Sequence, residues 1–315
     1  MDNKDLFLEP KVTQYGNHMV MTNVVKPVKH KYYTIDTRFR DDYDEYSSTS
    51  PTYYTITLPQ RVNDVKSIMV CTAEIPLTYY NISASLGNNS LQIILESNNT
   101  AKTIIINDGY YNSCGLITEL NNQLKNVGFT DLSFNINNNS SFNINNLSSN
   151  LNYTINFAIK TQLKSSGNTD NNDYDKFNFK SKLGWLLGFR NITYTLSSVN
   201  NIIVSESFID LNGPRYIYLV VDEFNNGNQN SFISPLYKSI LNKNILAKVC
   251  IDNKHYGFGS FFTANNFNGY LLTDKRCYNG KVDLQRLKIQ LVNELGIPLD
   301  LNGLDFSFTL EIEYE

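Results

Sequence analysis

The chain has 315 residues with 27 Lys and Arg against 30 Asp and Glu, a formal net charge of −3, so it lacks the basic excess that neutralising a phosphate backbone requires, and direct nucleic-acid binding is not expected. Its length suits one large β domain or two ordinary ones, and apolar residues at 41% and aromatics at 13%, with 21 Tyr and 18 Phe against one Trp, allow a sizeable core and favour strands. The opening MDNKDLFLEPKVTQYGNHMVMTNVV lacks the continuous apolar stretch of a secretory signal, and no run approaches the roughly eighteen apolar residues of a membrane helix, so a soluble protein with no transmembrane segment, made in the cytosol, is expected.

Residues 1–31 show neither helical nor strand periodicity and contain Pro10 and Pro27; they predict an extended N-terminal arm that needs a neighbour to order it. The globular domain is expected over 32–315. YYTIDTRFRDDYDEYSS passes from a short strand into a charged turn, and YYTITLP at 53–59 alternates as a half-buried strand. VKSIMVCTAEIPLTYYNI at 65–82 predicts a long strand with an edge or bend at Pro76, because proline cannot donate to a central ladder. SLQIILES (90–97) and AKTIIIND (101–108) flank Asn98 and Asn99 as a hairpin.

Leu116, Ile117, Leu120 and Leu124 fall at helical spacing before Gly128, predicting one short helix at about 115–127. LSFNIN, SFNINN and NYTINFAI then alternate, a polar loop follows at 164–176, and KLGWLLGFR is a short apolar piece, either one helical turn or a plug under the sheet. Strands continue at 202–211, 215–224, 245–253, 269–276, 284–296 and 305–315, separated by turns such as LNGP at 211–214 and LNG at 301–303. The last strand places Phe306, Phe308, Leu310, Ile312 and Tyr314 on one side against Ser, Thr and Glu. Asn-rich stretches at 136–152 and 224–230 are expected as loop insertions. About a dozen strands, no repeating strand-helix-strand rhythm and no 20–50-residue repeat predict an all-β antiparallel jelly-roll sandwich with insertions.

Chemistry is sparse. Cys71, Cys114, Cys250 and Cys277 are far apart with no CxxC spacing, and buried free thiols are expected. His18, His30 and His255 suit solvated or interfacial roles. GxSxG, HExxH, P-loop and GxGxxG signatures are absent, and YGFGSFF at 256–262 has no helix after it to present to a phosphate. Asp36, Asp41, Asp42, Asp44 and Glu45 offer oxygen ligands for calcium, but without EF-hand spacing a solvated turn balanced by Arg38 and Arg40 is favoured. Asp222 with Glu223 and Asp300 with Asp305 are conceivable glycosidase pairs whose separation the sequence does not fix. Sequons at Asn81, Asn98, Asn152 and Asn191 carry little weight without a signal peptide. Tyr lies mainly in strands and Asn in turns, so a sugar site is disfavoured. No catalytic, cofactor-binding or metal-ligating residue is assigned, and no enzyme activity is expected.

Three stretches carry a family resemblance: YYTIDTRFRDDY with YYTITLPQRVNDVKSIMVCTAEIPLTYYNIS, KLGWLLGFR with FIDLNGPRYIYLVVDEF, and LKIQLVNELGIPLDLNGLDFSFTLEIEYE. Together they resemble the minor capsid and penton-type structural proteins of nucleocytoplasmic large DNA viruses. The resemblance implies a jelly-roll subunit of an icosahedral shell, synthesised in the host cytoplasm and located in the virion. The major capsid proteins of these viruses are double jelly rolls that need a longer chain, so the penton at the five-fold vertex is the first expectation and a minor protein cementing the lattice the second. Its partners would be copies of itself, five in a penton, and the major and minor capsid proteins. A virion-surface fibre or glycan-binding receptor module is the alternative of another class.

Overall fold

The computed structural model describes residues 12–13, 16–17, 27–40, 50–137, 140–157, 179–224 and 244–315. In chain order, β1 (Val12–Thr13) and β2 (Gly16–Asn17) form a two-residue ladder, followed by β3 (Lys29–Asp36) and β4 (Tyr53–Pro76). A run of smaller elements follows: β5 (Ser90–Leu95), β6 (Thr100–Ile105), helix α1 (Ser113–Asn126), β7 (Leu132–Ile136), β8 (Ser141–Asn146), β9 (Tyr153–Asn156), the single turn α2 (Leu183–Leu186), β10 (Thr193–Leu196) and β11 (Ile202–Phe208). The remainder is β12 (Tyr216–Asp222), β13 (Ile245–Cys250), β14 (Phe261–Asn265), β15 (Leu271–Thr273), β16 (Arg276–Val292) and β17 (Ser307–Tyr314). Every strand pairing among the described residues is antiparallel, in agreement with the all-β expectation.

The large sheet has the order β15-β13-β12-β16-β4-β17-β3, with β14 added to the end of β4. It encloses one apolar core drawn from both of its edges, from Ile35 on β3 to Leu271 on β15, with Phe308, Leu310 and Ile312 fully buried. A flat sheet could not bring those edges to one core; β13 and β15, several places from β4 in the order, approach it, so the sheet curls on itself in the manner of a jelly roll.

Two long strands make the curl. Residues 53–59 and 65–82, expected as separate strands, run together as far as Pro76 in the 24-residue β4. The join is Asp64, whose φ of 54° lets the chain bulge while the ladder to β16 shifts register between Val65 and Val62. β16 likewise absorbs the end of the expected 269–276 strand, with Gly280 at φ 116° where its register first slips. Pro76 is the last residue of β4, as its missing N–H requires.

The described residues between 82 and 211 pack around a second core. A four-stranded sheet, β10-β9-β5-β6, and a three-stranded sheet, β11-β8-β7, enclose it with α1. Helix α1 begins two residues before the expected start because the Asn112 side chain accepts the Gly115 N–H at 2.8 Å, capping the first turn. Leu116, Leu120 and Leu124 are its buried stripe, each contributing about 1.5–3 kcal/mol by leaving water. The KLGWLLGFR piece realises both of its readings: α2 is one helical turn, and Leu183, Leu187 and Phe189 are wholly buried beneath the small sheets. Phe189 stacks on Phe157 at 5.0 Å and meets Phe142 edge-on at 6.0 Å.

SFNINN, which carries both the alternation of a strand and the Asn-rich character expected of a loop, is strand β8, where Asn143 and Asn146 are buried. Phe142 and Ile144 supply its core contacts, and these outweigh the turn preference of asparagine. The first long strand begins at Lys29, inside the segment expected as an arm, because residues 29–36 pair with β17 along their whole length. Most of that segment, the 164–176 loop and residues 225–230 lie outside the described residues.

Candidate functional site

Among the described residues, each carboxylate weighed as a ligand or catalytic group serves as a local anchor. Asp36 accepts the Arg38 backbone N–H at 3.0 Å and the Arg38 guanidinium at 2.6–3.1 Å, and those bonds hold its carboxyl below the usual range. It therefore belongs to the arginine-balanced turn, while Asp41, Asp42, Asp44 and Glu45 lie outside the described residues. Asp305 takes a 2.7 Å hydrogen bond from Thr37 and a 3.0 Å ion pair from Arg40, tying the loop before β17 to the end of β3. Asp300 accepts the Asn302 N–H at 2.9 Å and shapes the LNG turn.

Asp222 accepts the Phe224 N–H at 2.9 Å. Its neighbour Glu223 is buried in a 2.6 Å ion pair with Arg276 and accepts the Tyr278 hydroxyl at 2.6 Å. Burial, with Glu223 beside it, pushes the Tyr278 phenol far above its ordinary value. The structure thus separates both pairs into unrelated structural contacts.

The thiols depart from expectation. All four are free, but Cys114 and Cys277 are exposed and Cys71 and Cys250 half-buried; Cys114 sits in the first, solvent-facing turn of α1, ahead of its buried stripe. Of the sequons, Asn81 is buried and fully used: its amide donates to the Tyr111 and Leu211 carbonyls at 2.8 and 2.7 Å and its oxygen accepts the Tyr111 N–H at 2.8 Å. Asn98 turns the β5–β6 hairpin by accepting the Thr100 N–H at 3.1 Å, and the Asn191 amide donates to Glu206 at 3.0 Å. His255 contacts Asp252 at 2.6 Å, which holds that carboxyl down to about 2. His30 contacts Glu311 at 2.7 Å, and His18 lies outside the described residues.

Two features assembled by the fold were not visible in the sequence. The first is a cleft of about 640 Å³ where the two cores meet, walled by Tyr80, Trp185 and Phe208 with Arg190, Arg215 and Glu294. The Arg190 guanidinium lies 4.0 Å from the Trp185 ring centre and donates to the Trp185 and Phe189 carbonyls at 3.1 and 2.9 Å. Burial raises the Glu294 carboxyl above its ordinary value against the opposing pull of the Arg215 N–H. Its walls come from segments more than a hundred residues apart, so no local pattern signals it.

The second is a surface. β11 terminates its three-stranded sheet, and on its outward alternating face Ile202 is 54% exposed, Val204 48% and Phe208 66%, with Glu206 between the last two and Val199 just before the strand at 87%. No helix among the described residues is long and apolar enough to cross a membrane.

No protein-family model and no curated relative matches the sequence. Among solved structures, the chain is similar to the mavirus penton protein at 13% identity over 92% of this chain and 100% of that one, with a TM-score of 0.41. It is also similar to a chain of the Sputnik virophage particle at 14% identity over 92% of this chain and 98% of that one, with a TM-score of 0.38.

Proposed function

We propose that the chain is a structural subunit of the icosahedral shell of a large DNA virus, first as the penton and second as a minor protein cementing the lattice, and that it works without catalysis. The observation that carries the proposal is the apolar row Ile202, Val204 and Phe208 on a terminal strand. Single exposed apolar side chains are ordinary, but a row of them beside a strand edge is a surface stabilised by being covered. In a penton the cover is the next copy, through a heterologous contact whose rotation closes at five. The sequence resemblance to penton-type capsid proteins supports the same assignment, and the carboxylates open to a catalytic role are all engaged in turns or ion pairs.

Light scattering tests it. A closed pentamer of this 36.0 kDa chain weighs about 180 kDa, and Val204→Asp with Phe208→Asp should return it to monomer without altering the far-UV circular dichroism. A wild-type monomer that also fails to enter particles would overturn the proposal. The aromatic and guanidinium walls of the cleft support the second reading, a glycan-binding module of the virion surface; selective binding on a glycan array that is lost with Trp185→Ala would favour it over the shell subunit.

A further inference from the structure

At the outer face of the large sheet, β17 carries Glu311 and Glu313 on one side of the strand, and β3 places His30 directly opposite Glu313. The His30 Nδ1 lies 2.7 Å from Glu311 Oε1 and 3.8 Å from Glu313 Oε1, and the three ligand atoms fall within 4.8 Å of one another. Tetrahedral bonds of about 2.0 Å to a zinc ion would set such atoms about 3.3 Å apart. From this geometry we propose that His30, Glu311 and Glu313 form a divalent transition-metal site, filled best by zinc, that staples the sheet-edge strand β3 to β17.

The surrounding side chains support a built site. The second oxygen of each carboxylate is held from outside: Ser67 Oγ donates to Glu313 Oε2 at 2.6 Å, and Cys71 Sγ approaches Glu311 Oε2 at 3.7 Å. Glu311 Oε1 thereby faces the imidazole and Glu313 Oε1 lies 3.8 Å from it, and a hydrogen bond to the far oxygen of a carboxylate is the outer-sphere support that metal ligands need. One imidazole with two carboxylates suits zinc and its transition-metal neighbours better than calcium or magnesium, which take oxygen ligands alone. The Lys275 ammonium contacts Glu313 Oε1 and supplies positive charge at the place the metal would take, so metal and ammonium compete for one oxygen. The His30 side chain is 45% exposed, giving solvent a path to the site and room for a water as a further ligand.

Isothermal titration of the full chain with zinc chloride at neutral pH tests the site. One zinc per chain is expected, with binding weakened by at least about tenfold in His30→Ala and in Glu313→Gln. Lys275→Met should tighten it, since the competing ammonium is gone, and His255→Ala should leave it unchanged. Zinc should also raise the melting temperature of the wild type and not of His30→Ala, whose metal-free melting and circular dichroism verify its fold. Absence of stoichiometric binding, or binding that His30→Ala leaves intact, would overturn the site; neither result bears on the shell-subunit proposal, which rests on β11.

Discussion

Removing the Glu223 carboxylate should unfold the large curled sheet before it affects anything else. The Arg276 and Glu223 side chains are 1% and 3% exposed and meet at 2.6 Å. The guanidinium also donates to the Val221 carbonyl at 2.8 Å, and Glu223 accepts the Tyr278 hydroxyl. The Arg276 Nε and Nη2 are buried without a hydrogen-bond partner among the described residues, so Glu223 is the main compensation for a cation already poorly satisfied. Glu223→Ala strands that cation and should cost about 3–5 kcal/mol. Glu223→Gln keeps an acceptor for Tyr278 but not the charge, and should fall between. The double variant Glu223→Leu with Arg276→Met removes both desolvation penalties and should recover most of the loss.

Urea titration followed by far-UV circular dichroism reads the large sheet, while fluorescence of Trp185, the single tryptophan, reads the second core into which α2 packs. The dichroism midpoint should fall in Glu223→Ala, and the fluorescence midpoint should move less. A loss below about 1 kcal/mol would mean the pair is solvated and the reasoning fails. A double variant as unstable as the single would mean that shape, not charge, was lost.

Gly188→Ala should destabilise the second core by about 3 kcal/mol or more, since a Cβ there would sit 2.1 Å from the Ser207 carbonyl oxygen at φ 95°; the Trp185 fluorescence midpoint in urea checks it. Asn81→Ala orphans the Tyr111 N–H and the Tyr111 and Leu211 carbonyls and should cost about 3 kcal/mol, read by thermal melting. Glu294→Gln should stabilise the protein at neutral pH. Because burial raises this carboxyl above its ordinary 4.5, the folded state holds the proton more tightly than the unfolded chain, and ionisation penalises folding as pH rises through the raised value. The gain over wild type should therefore shrink as pH falls toward the ordinary value and disappear below it; melting curves at neutral and acid pH measure the difference.

The sequence by itself determined the elements whose cause is local. Period-two alternation marked residues 306–314 as a strand with one wet face, and Leu116, Leu120 and Leu124 marked α1, because side-chain direction follows backbone period whatever lies opposite. The tertiary structure alone decided what each face meets. Alternation states that a face is buried but not against which partner, so the division into two cores, the fusion of two stretches into β4 and the curl of the sheet came from long-range packing. The same holds for chemistry: Glu223 became one half of a buried ion pair with a residue 53 positions away, and His30 met Glu311 across 281, since strand pairing brings together residues that no spacing along the chain connects.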